Sequence, residues 1–155
     1  MHLRSYAAGD LEVLCRLTVD SFQGVSIDQN METHFGPIHG HDWRWRKARQ
    51  IEAEVKANPS GTFVAEEDGK ILGYITTHVD REAGIGQIPN LAVAGEARNR
   101  GLGRQLIDRA LNYFRSLGLT HAKIETLDQN PIGQHLYPAC GFKEVARQIH
   151  YLREL

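Results

Sequence analysis

The chain has 155 residues, of which 41% are hydrophobic, 24% charged and 8% aromatic, a composition that excludes a disordered, collagen-like or membrane-embedded chain. With 18 basic and 19 acidic residues the net charge is −1, so no global field holds it on nucleic acid or on an anionic membrane surface. Folding a chain of this length buries roughly 70% of the surface that the unfolded form exposes, so one domain over residues 1–155 is expected, without metal or disulfide staples.

Cys15 and Cys140 form no CxxC pair, which argues against a zinc ribbon, a redox dithiol motif or a disulfide scaffold. A reducing, cytoplasmic setting is expected. Residues 1–20 lack a basic stretch followed by an apolar one, and no apolar run reaches about 18 residues, so neither a leader nor a membrane span is expected.

His2 to Tyr6 reads as a short strand, and Asp10 as the N-cap of a helix over about 10–23 whose stripe is Leu11, Leu14, Cys15, Thr18 and Phe22. Residues 24–42 carry three glycines, a proline and three histidines without a clean period, and read as a long loop of the kind that often carries function. Trp45, Ala48, Ile51 and Val55 mark a second helix, closed by Asn58-Pro59-Ser60-Gly61. Charge divides here: residues 1–42 sum to −4 and residues 43–58 to +3. That is either two solvated helix faces or an acidic mouth for a cationic substrate.

Thr62–Glu66 and Lys70–His78 read as a hairpin around Glu67-Asp68-Gly69. Ile85 to Val93 is a further strand that Pro89 must bulge or splay, because proline donates nothing to a ladder. Leu102, Leu106, Ala110, Phe114 and Leu117 repeat at helical spacing up to Gly118. A strand over 122–127, a short helix over 130–139 and one or two closing strands within 142–152 complete a mixed α/β domain.

Chemistry concentrates where the strand Leu91-Ala92-Val93 runs into the turn Arg98-Asn99-Arg100-Gly101-Leu102-Gly103-Arg104, which opens a helix. First-turn amides lack intrahelical partners and the helix dipole adds positive charge, so the turn suits an anion, most naturally a pyrophosphate. Gly101 and Gly103 let oxygens approach the main chain, and Arg98, Arg100 and Arg104 neutralise them. No GxxxxGK[ST] is present, and Gly101-Leu102-Gly103 lacks the third small residue of a dinucleotide fingerprint.

Arg98-x-x-Gly101-x-Gly103 after a Leu-Ala-Val strand resembles the acetyl-CoA loop of the GNAT N-acetyltransferase superfamily. Asn130-Pro131-Ile132-Gly133-Gln134-His135-Leu136-Tyr137-Pro138-Ala139-Cys140-Gly141-Phe142 resembles that family's Asn, Leu-Tyr, Gly-Phe block, in the expected order downstream. The resemblance implies a GNAT-like fold, a central mixed, mostly antiparallel sheet of six or seven strands with about four helices. It also implies acetyl-CoA as donor, no metal, and N-acetyltransfer to a primary amine of a small molecule or peptide by direct attack in a ternary complex.

Carried over by position, the resemblance pairs the backbone of Leu91, Ala92 and Val93 with the pantetheine arm and seats the pyrophosphate on residues 98–104. Asn130 then contacts the cofactor arm, and Tyr137 lies near the thioester sulfur as general acid. An N–H near Leu91 or Ala92 polarises the carbonyl. Glu125 resembles the strand glutamate proposed as base in protein N-terminal acetyltransferases, which makes a protein N-terminal amine an alternative acceptor; pairing with Lys123 or Arg147 is its structural alternative. Gln87 stands near another family base position and can only orient water. His34, His39, His41 and Asp42 fit no HExxH or zinc-finger spacing. Phe35, His39 and Trp43 are instead expected acceptor contacts, with Trp43 alternatively in the core. Relatives of this kind commonly form homodimers, and a non-catalytic acyl-CoA sensor is the contrasting reading, opposed by the presence of Tyr137 and Glu125.

Overall fold

Strong local periodicity places most elements where the sequence predicts them. A computed structural model describes residues 1–155 and contains β1 (His2–Ser5), α1 (Leu11–Phe22), α2 (Ile27–Phe35), α3 (Trp43–Ala57), β2 (Phe63–Glu67) and β3 (Lys70–Ile75). These are followed by β4 (His78–Asp80), β5 (Ile85–Ile88), β6 (Leu91–Val93), α4 (Leu102–Ser116), β7 (His121–Ile124) and α5 (Pro131–Ala139). The hairpin turn is as expected, with Asp68 at φ 51° and Gly69 at φ 76° between the paired Glu67 and Lys70.

The expected single sheet is in fact two. One has the order β1-β2-β3-β6, antiparallel throughout; the other has the order β4-β5-β7, with β5 and β7 parallel. Both long strands of the sequence reading break between the sheets, at Thr76-Thr77 and at Pro89-Asn90. The physical reason is that Pro89 has no amide to donate, so the ladder cannot continue through it.

Two hydrophobic clusters flank the four-stranded sheet. Leu102, Leu106, Ile107, Ala110 and Phe114 of α4 pack with Phe63, Ala65, Leu72, Ile75 and Ile88. On the other face Leu14 of α1 and Ile51 and Val55 of α3 pack with Val64, Ile71, Tyr74 and Ala92. The buried Tyr74 hydroxyl is paired with Thr18 Oγ1. Each such Leu, Ile or Phe contributes roughly 1.5–3 kcal/mol by leaving water, so α4 is fixed by its five-residue stripe and carries the turn at its N-terminus with it.

Three further expectations need correction. Residues 24–42 are not one loop, because α2 occupies its middle. Ser26 Oγ caps Asp28 N at 3.1 Å, and the helix is held by polar contacts to α3: Arg46 Nε on Asp28 Oδ1 at 3.3 Å, Gln50 Nε2 on Asp28 Oδ2 at 3.2 Å and Trp43 N on Glu32 Oε2 at 2.8 Å. A helix anchored by charges shows no apolar period. Asp10 holds the N-cap position of α1 as expected, but its side chain makes no capping bond; it accepts Ala7 N at 2.8 Å and is bridged by Arg4, whose guanidinium holds its carboxyl below the usual range. The closing strands within 142–152 do not form, and residues 143–155 pair with no strand.

Candidate active site

The pairing of β6 with β3 determines what the cleft offers. Thr76 N donates to Asn90 O at 3.0 Å and Ala94 N to Leu72 O at 2.8 Å, with Tyr74 opposite Ala92 between them. Antiparallel ladders alternate, so residues 90, 92 and 94 face β3 while the N–H and C=O groups of Leu91 and Val93 point to the opposite, unpaired edge. Only Val93 O is engaged there, by Ser21 Oγ of α1 at 3.4 Å. The N–H able to polarise a carbonyl is therefore that of Leu91, since the Ala92 amide is committed to the sheet.

Beyond Ile88 and Ile124 the parallel pair β5–β7 ends, β6 joins the other sheet and the chain after β7 continues through Glu125 to Leu127. The two paths diverge and leave a cleft between them, and the start of α4 lies against the C-terminal half of α5, Gly103 beside Leu136 and Arg104 bonded to Ala139. At α4, Asn99 sits at φ 60° and Gly101, the N-cap residue, at φ 74°, left-handed positions that turn successive amides the same way. The amides of Asn99 through Arg104 donate to no group of the protein, and α4 has no side-chain cap. This run of free donors is a nest for a multiply charged anion.

The three arginines of this turn are not equivalent. Arg100 Nη2 makes a two-pronged contact to Glu67 at 2.8 and 3.0 Å, and Arg104 Nη2 donates to Ala139 O at the end of α5 at 2.9 Å. Arg98 is exposed and uncommitted. Gly103 also lets α5 approach, since a β-carbon there would lie 3.0 Å from Leu136 Cδ2.

In α5, Asn130 is the N-cap residue: its Oδ1 accepts Gly133 N at 3.3 Å and its Nδ2 donates to Thr126 Oγ1 at 2.9 Å. Tyr137 is largely buried and lies edge-on to Phe142, with ring centroids 6.4 Å apart. Burial pushes its hydroxyl up to about 12, the nearby Cys140 adding to the shift. That hydroxyl makes no hydrogen bond within the protein, and no buried polar side-chain atom is left unpaired, so the Tyr137 Oη reaches accessible space. Burial likewise raises the Cys140 thiol, which keeps it protonated and poorly nucleophilic.

Glu125 is exposed at the end of β7, where it accepts Gln87 Nε2 at 3.0 Å and lies 3.3 Å from Lys123 Nζ. The strand glutamate and the glutamine of β5 thus come together. Of the residues expected to meet the acceptor, Phe35 is 39% exposed at the end of α2, and His39 is exposed in the turn after it at φ 52°. Trp43 is only 3% exposed and belongs to the interior. The acidic segment is largely spent on structure, since Asp10 pairs with Arg4, Asp28 with Arg46, and Glu32 and Asp42 cap the start of α3. His41 stacks on Trp45 at 3.5 Å.

One cluster escaped the sequence reading. Asn90, buried immediately after Pro89, is clamped through its side chain: Nδ2 donates to Glu54 Oε2 at 2.5 Å, and Oδ1 accepts Lys47 Nζ at 3.1 Å. Thr76 Oγ1 donates to the same Glu54 carboxylate at 3.1 Å and accepts Asn90 N at 3.1 Å. Burial raises the Glu54 carboxyl and lowers the Lys47 ammonium, and the Lys47 Nζ also lies 4.2 Å from the centre of the Phe22 ring. The clamp fixes the break from which Leu91 emerges. Its signal in the sequence is that Lys47 and Glu54 share the inward face of α3 with Ile51 and Val55, where charges are out of place.

Residues 26–142 match the acetyltransferase (GNAT) family, and the chain belongs to it. It is 30% identical over 169 residues to a mycothiol acetyltransferase of Rhodococcus opacus (strain B4), covering 99% of this chain and 55% of that protein. The chain spans about half the length, or less, of the curated relatives it matches. Among solved structures, the PaiA N-acetyltransferase from Thermoplasma acidophilum in complex with coenzyme A aligns with TM-score 0.73 and 20% identity over 92% of this chain and 89% of that one. An aminoglycoside N-acetyltransferase, AAC(6')-Iy, in complex with a bisubstrate analogue of CoA and acetylneamine aligns with TM-score 0.68 and 21% identity over 99% and 98%. These two likenesses carry the fold, and the expected GNAT architecture is met with five helices and seven strands. No helix is long and apolar enough to cross a membrane.

Proposed function

We propose that the domain transfers an acetyl group from acetyl-CoA to a primary amine of a small molecule, by direct attack of the amine in a ternary complex. The observation that carries this reading is two stretches of unpaired main-chain groups, the N–H and C=O of Leu91 with the N–H of Val93, and then the amides from Asn99 to Arg104. An amide-bearing arm ending in a pyrophosphate matches both: the edge of β6 takes the arm as an added strand, and the turn takes the phosphates. Asn130 acts on the arm indirectly, by capping α5 and so placing Tyr137. Arg98 supplies the free charge, while Arg100 and Arg104 shape the turn.

Acetyl-CoA supplies an activated thioester, and the remaining work falls to the protein. Leu91 N–H is positioned to donate to the thioester oxygen as negative charge develops. The amine nitrogen must be neutral to form its bond to the carbonyl carbon; a lysine-like amine has a pKa of about 10, so Glu125, directly or through water held with Gln87, removes a proton from it. As the carbon–sulfur bond breaks, the Tyr137 Oη donates to the departing thiolate. With its hydroxyl near 12, Tyr137 is a weaker acid than a thiol near 8.5, so it serves as a hydrogen-bond donor that is protonated throughout the working pH range, and the thiolate draws its final proton through it from solvent. Burial that raises the Cys140 thiol makes it a poor nucleophile, which supports direct attack over an acyl-enzyme at that residue.

A small-molecule acceptor is supported by the names of the relative and of the aminoglycoside-modifying neighbour, and the exposed Phe35 and His39 are its candidate contacts. The test is release of free CoA from acetyl-CoA over a panel of amino sugars, polyamines, amino-acid derivatives and N-terminal peptides. Amine-dependent release with a small molecule as best acceptor is expected; release only with peptides would move the acceptor to a protein N-terminus, and none with any amine would end the reading.

A further inference from the structure

We propose that Gln129 is a positioning residue of the donor site: it clasps the turn after α1 across the cleft, so that the arm of acetyl-CoA lies under a strap and enters or leaves only while the clasp is open. The inference rests on the acetyl-CoA reading of the cleft and adds a residue to which that reading gives no part.

The strap starts on one bank of the cleft. Ser21 Oγ, near the end of α1, donates to Val93 O on the unpaired edge of β6 at 3.4 Å. Soon afterwards the chain is held from the other bank, where the Gly24 carbonyl accepts Gln129 Nε2 at 2.8 Å. A gap that takes one added strand spans two interstrand spacings, about 10 Å, and the chain from Ser21 to Gly24 reaches about 10 Å at most, so a turn tied at both residues runs straight across such a gap. Gly24, at φ 80°, makes that turn, and its N–H donates to Gln29 Oε1 of α2 at 2.5 Å.

The clasp itself is a closed pair of amides. Asn30 Nδ2 of α2 donates to Gln129 Oε1 at 2.8 Å, and Gln129 Nε2 returns a bond to Asn30 Oδ1 at 3.1 Å, so that with Gly24 both hydrogens of Nε2 are used. Gln129 is firmly rooted: Asn130 N closes its turn on Leu127 O at 3.0 Å, Gln134 Nε2 bonds to Asp128 O, and Asn130 caps α5. What it holds is loosely packed. No residue of α2 belongs to either hydrophobic cluster or packs against one, so polar bonds dominate the docking of the strap. Neutral amide bonds open to water are exchanged for water without unfolding the domain, which lets the clasp open while both banks stay in place.

A strap that is closed with and without the cofactor, and that must open for the cofactor to pass, slows entry and exit alike and leaves affinity unchanged. The test joins amide hydrogen exchange to association and dissociation rate constants for acetyl-CoA, measured by surface plasmon resonance on the whole chain. In Gln129→Ala the amides of residues 27–35 should exchange about tenfold faster while those of α4 keep their rates. Both rate constants should rise about fivefold or more, with Kd held within about threefold. Asn30→Ala, which spares the Gly24 bond, should do less, and adding it to Gln129→Ala should change nothing further, since its partner is already gone. Unchanged exchange or unchanged rate constants in Gln129→Ala would overturn the proposal. So would a tenfold loss of affinity carried by dissociation alone, which is the mark of a plain cofactor contact. If the folded native chain binds no acetyl-CoA, the donor reading and this inference fall together, and faster exchange in Gln129→Ala would then show that the fault lies with the cofactor and not with the clasp.

Discussion

The two walls of the cleft are built from different materials. The wall formed by β6 and the turn into α4 presents main-chain donors and acceptors, from Leu91 to Val93 and from Asn99 to Arg104, and its side chains mostly serve to shape it. The proposed acceptor wall presents side chains instead: Gln87 and Glu125, joined at the ends of β5 and β7, with the exposed Phe35 and His39 as candidate contacts. Main-chain recognition imposes rules on sequence: glycine where φ is positive, a break where a strand must be left unpaired, an uncapped helix start. Side-chain recognition imposes none that a single sequence reveals. The donor half therefore carries a motif, and the acceptor half does not.

Tyr137→Phe breaks the link between the halves and should have the largest effect, lowering kcat about 100-fold with acetyl-CoA affinity held within twofold, because only the developing thiolate loses its donor. Steady-state kinetics beside a calorimetric binding constant measure this. In the same kinetics the intact enzyme should show kcat rising with pH as the amine loses its proton, with no falling limb from Tyr137 until about pH 12.

Glu54→Ala probes the hidden support of the donor wall. It leaves Asn90 Nδ2 and Thr76 Oγ1 without an acceptor and removes one of the two carboxylates that act on Lys47, so the domain should lose about 2 kcal/mol in urea unfolding. Activity should fall more than the unfolded fraction explains, and Glu54→Gln, which keeps one acceptor oxygen, should recover part of both. Equal loss of stability and full retention of kcat would reduce the clamp to a core feature.

Arg98→Ala and Arg100→Ala sharpen the comparison within the turn. Removing the uncommitted Arg98 should weaken acetyl-CoA binding about tenfold, the scale of one charge-assisted hydrogen bond. Removing Arg100, already paired with Glu67, should change it less than about threefold. Isothermal titration of both variants decides, and the reverse order would assign the phosphates to a different arginine.

Periodicity made α1, α3, α4 and the β2–β3 hairpin legible, because each buries a regular apolar stripe or turns through Asp68-Gly69. The proline at 89 announced a splay, although not that the sheet would divide there. Legibility failed where polar contacts replace apolar ones. α2 is pinned to α3 through Asp28, Glu32, Arg46 and Gln50, a pattern that in one dimension looks like a loop. On sequence alone Trp43 fits either an acceptor contact or the core, and the structure makes it an inward residue of α3's first turn. One or two closing strands are expected within 142–152, but what a strand pairs with is a long-range property that alternation alone does not carry.

Calorimetric titration of the purified protein with acetyl-CoA, beside the variant Gly103→Trp, tests the donor wall most directly. A side chain at Gly103 collides with Leu136 and fills the mouth of the amide nest while leaving the rest of α4's buried stripe intact. One-site binding by the native chain that falls at least about 100-fold in a folded Gly103→Trp protein is the predicted result. No binding by the folded native chain, or equal binding by both proteins, would contradict the assignment of these main-chain groups to acetyl-CoA.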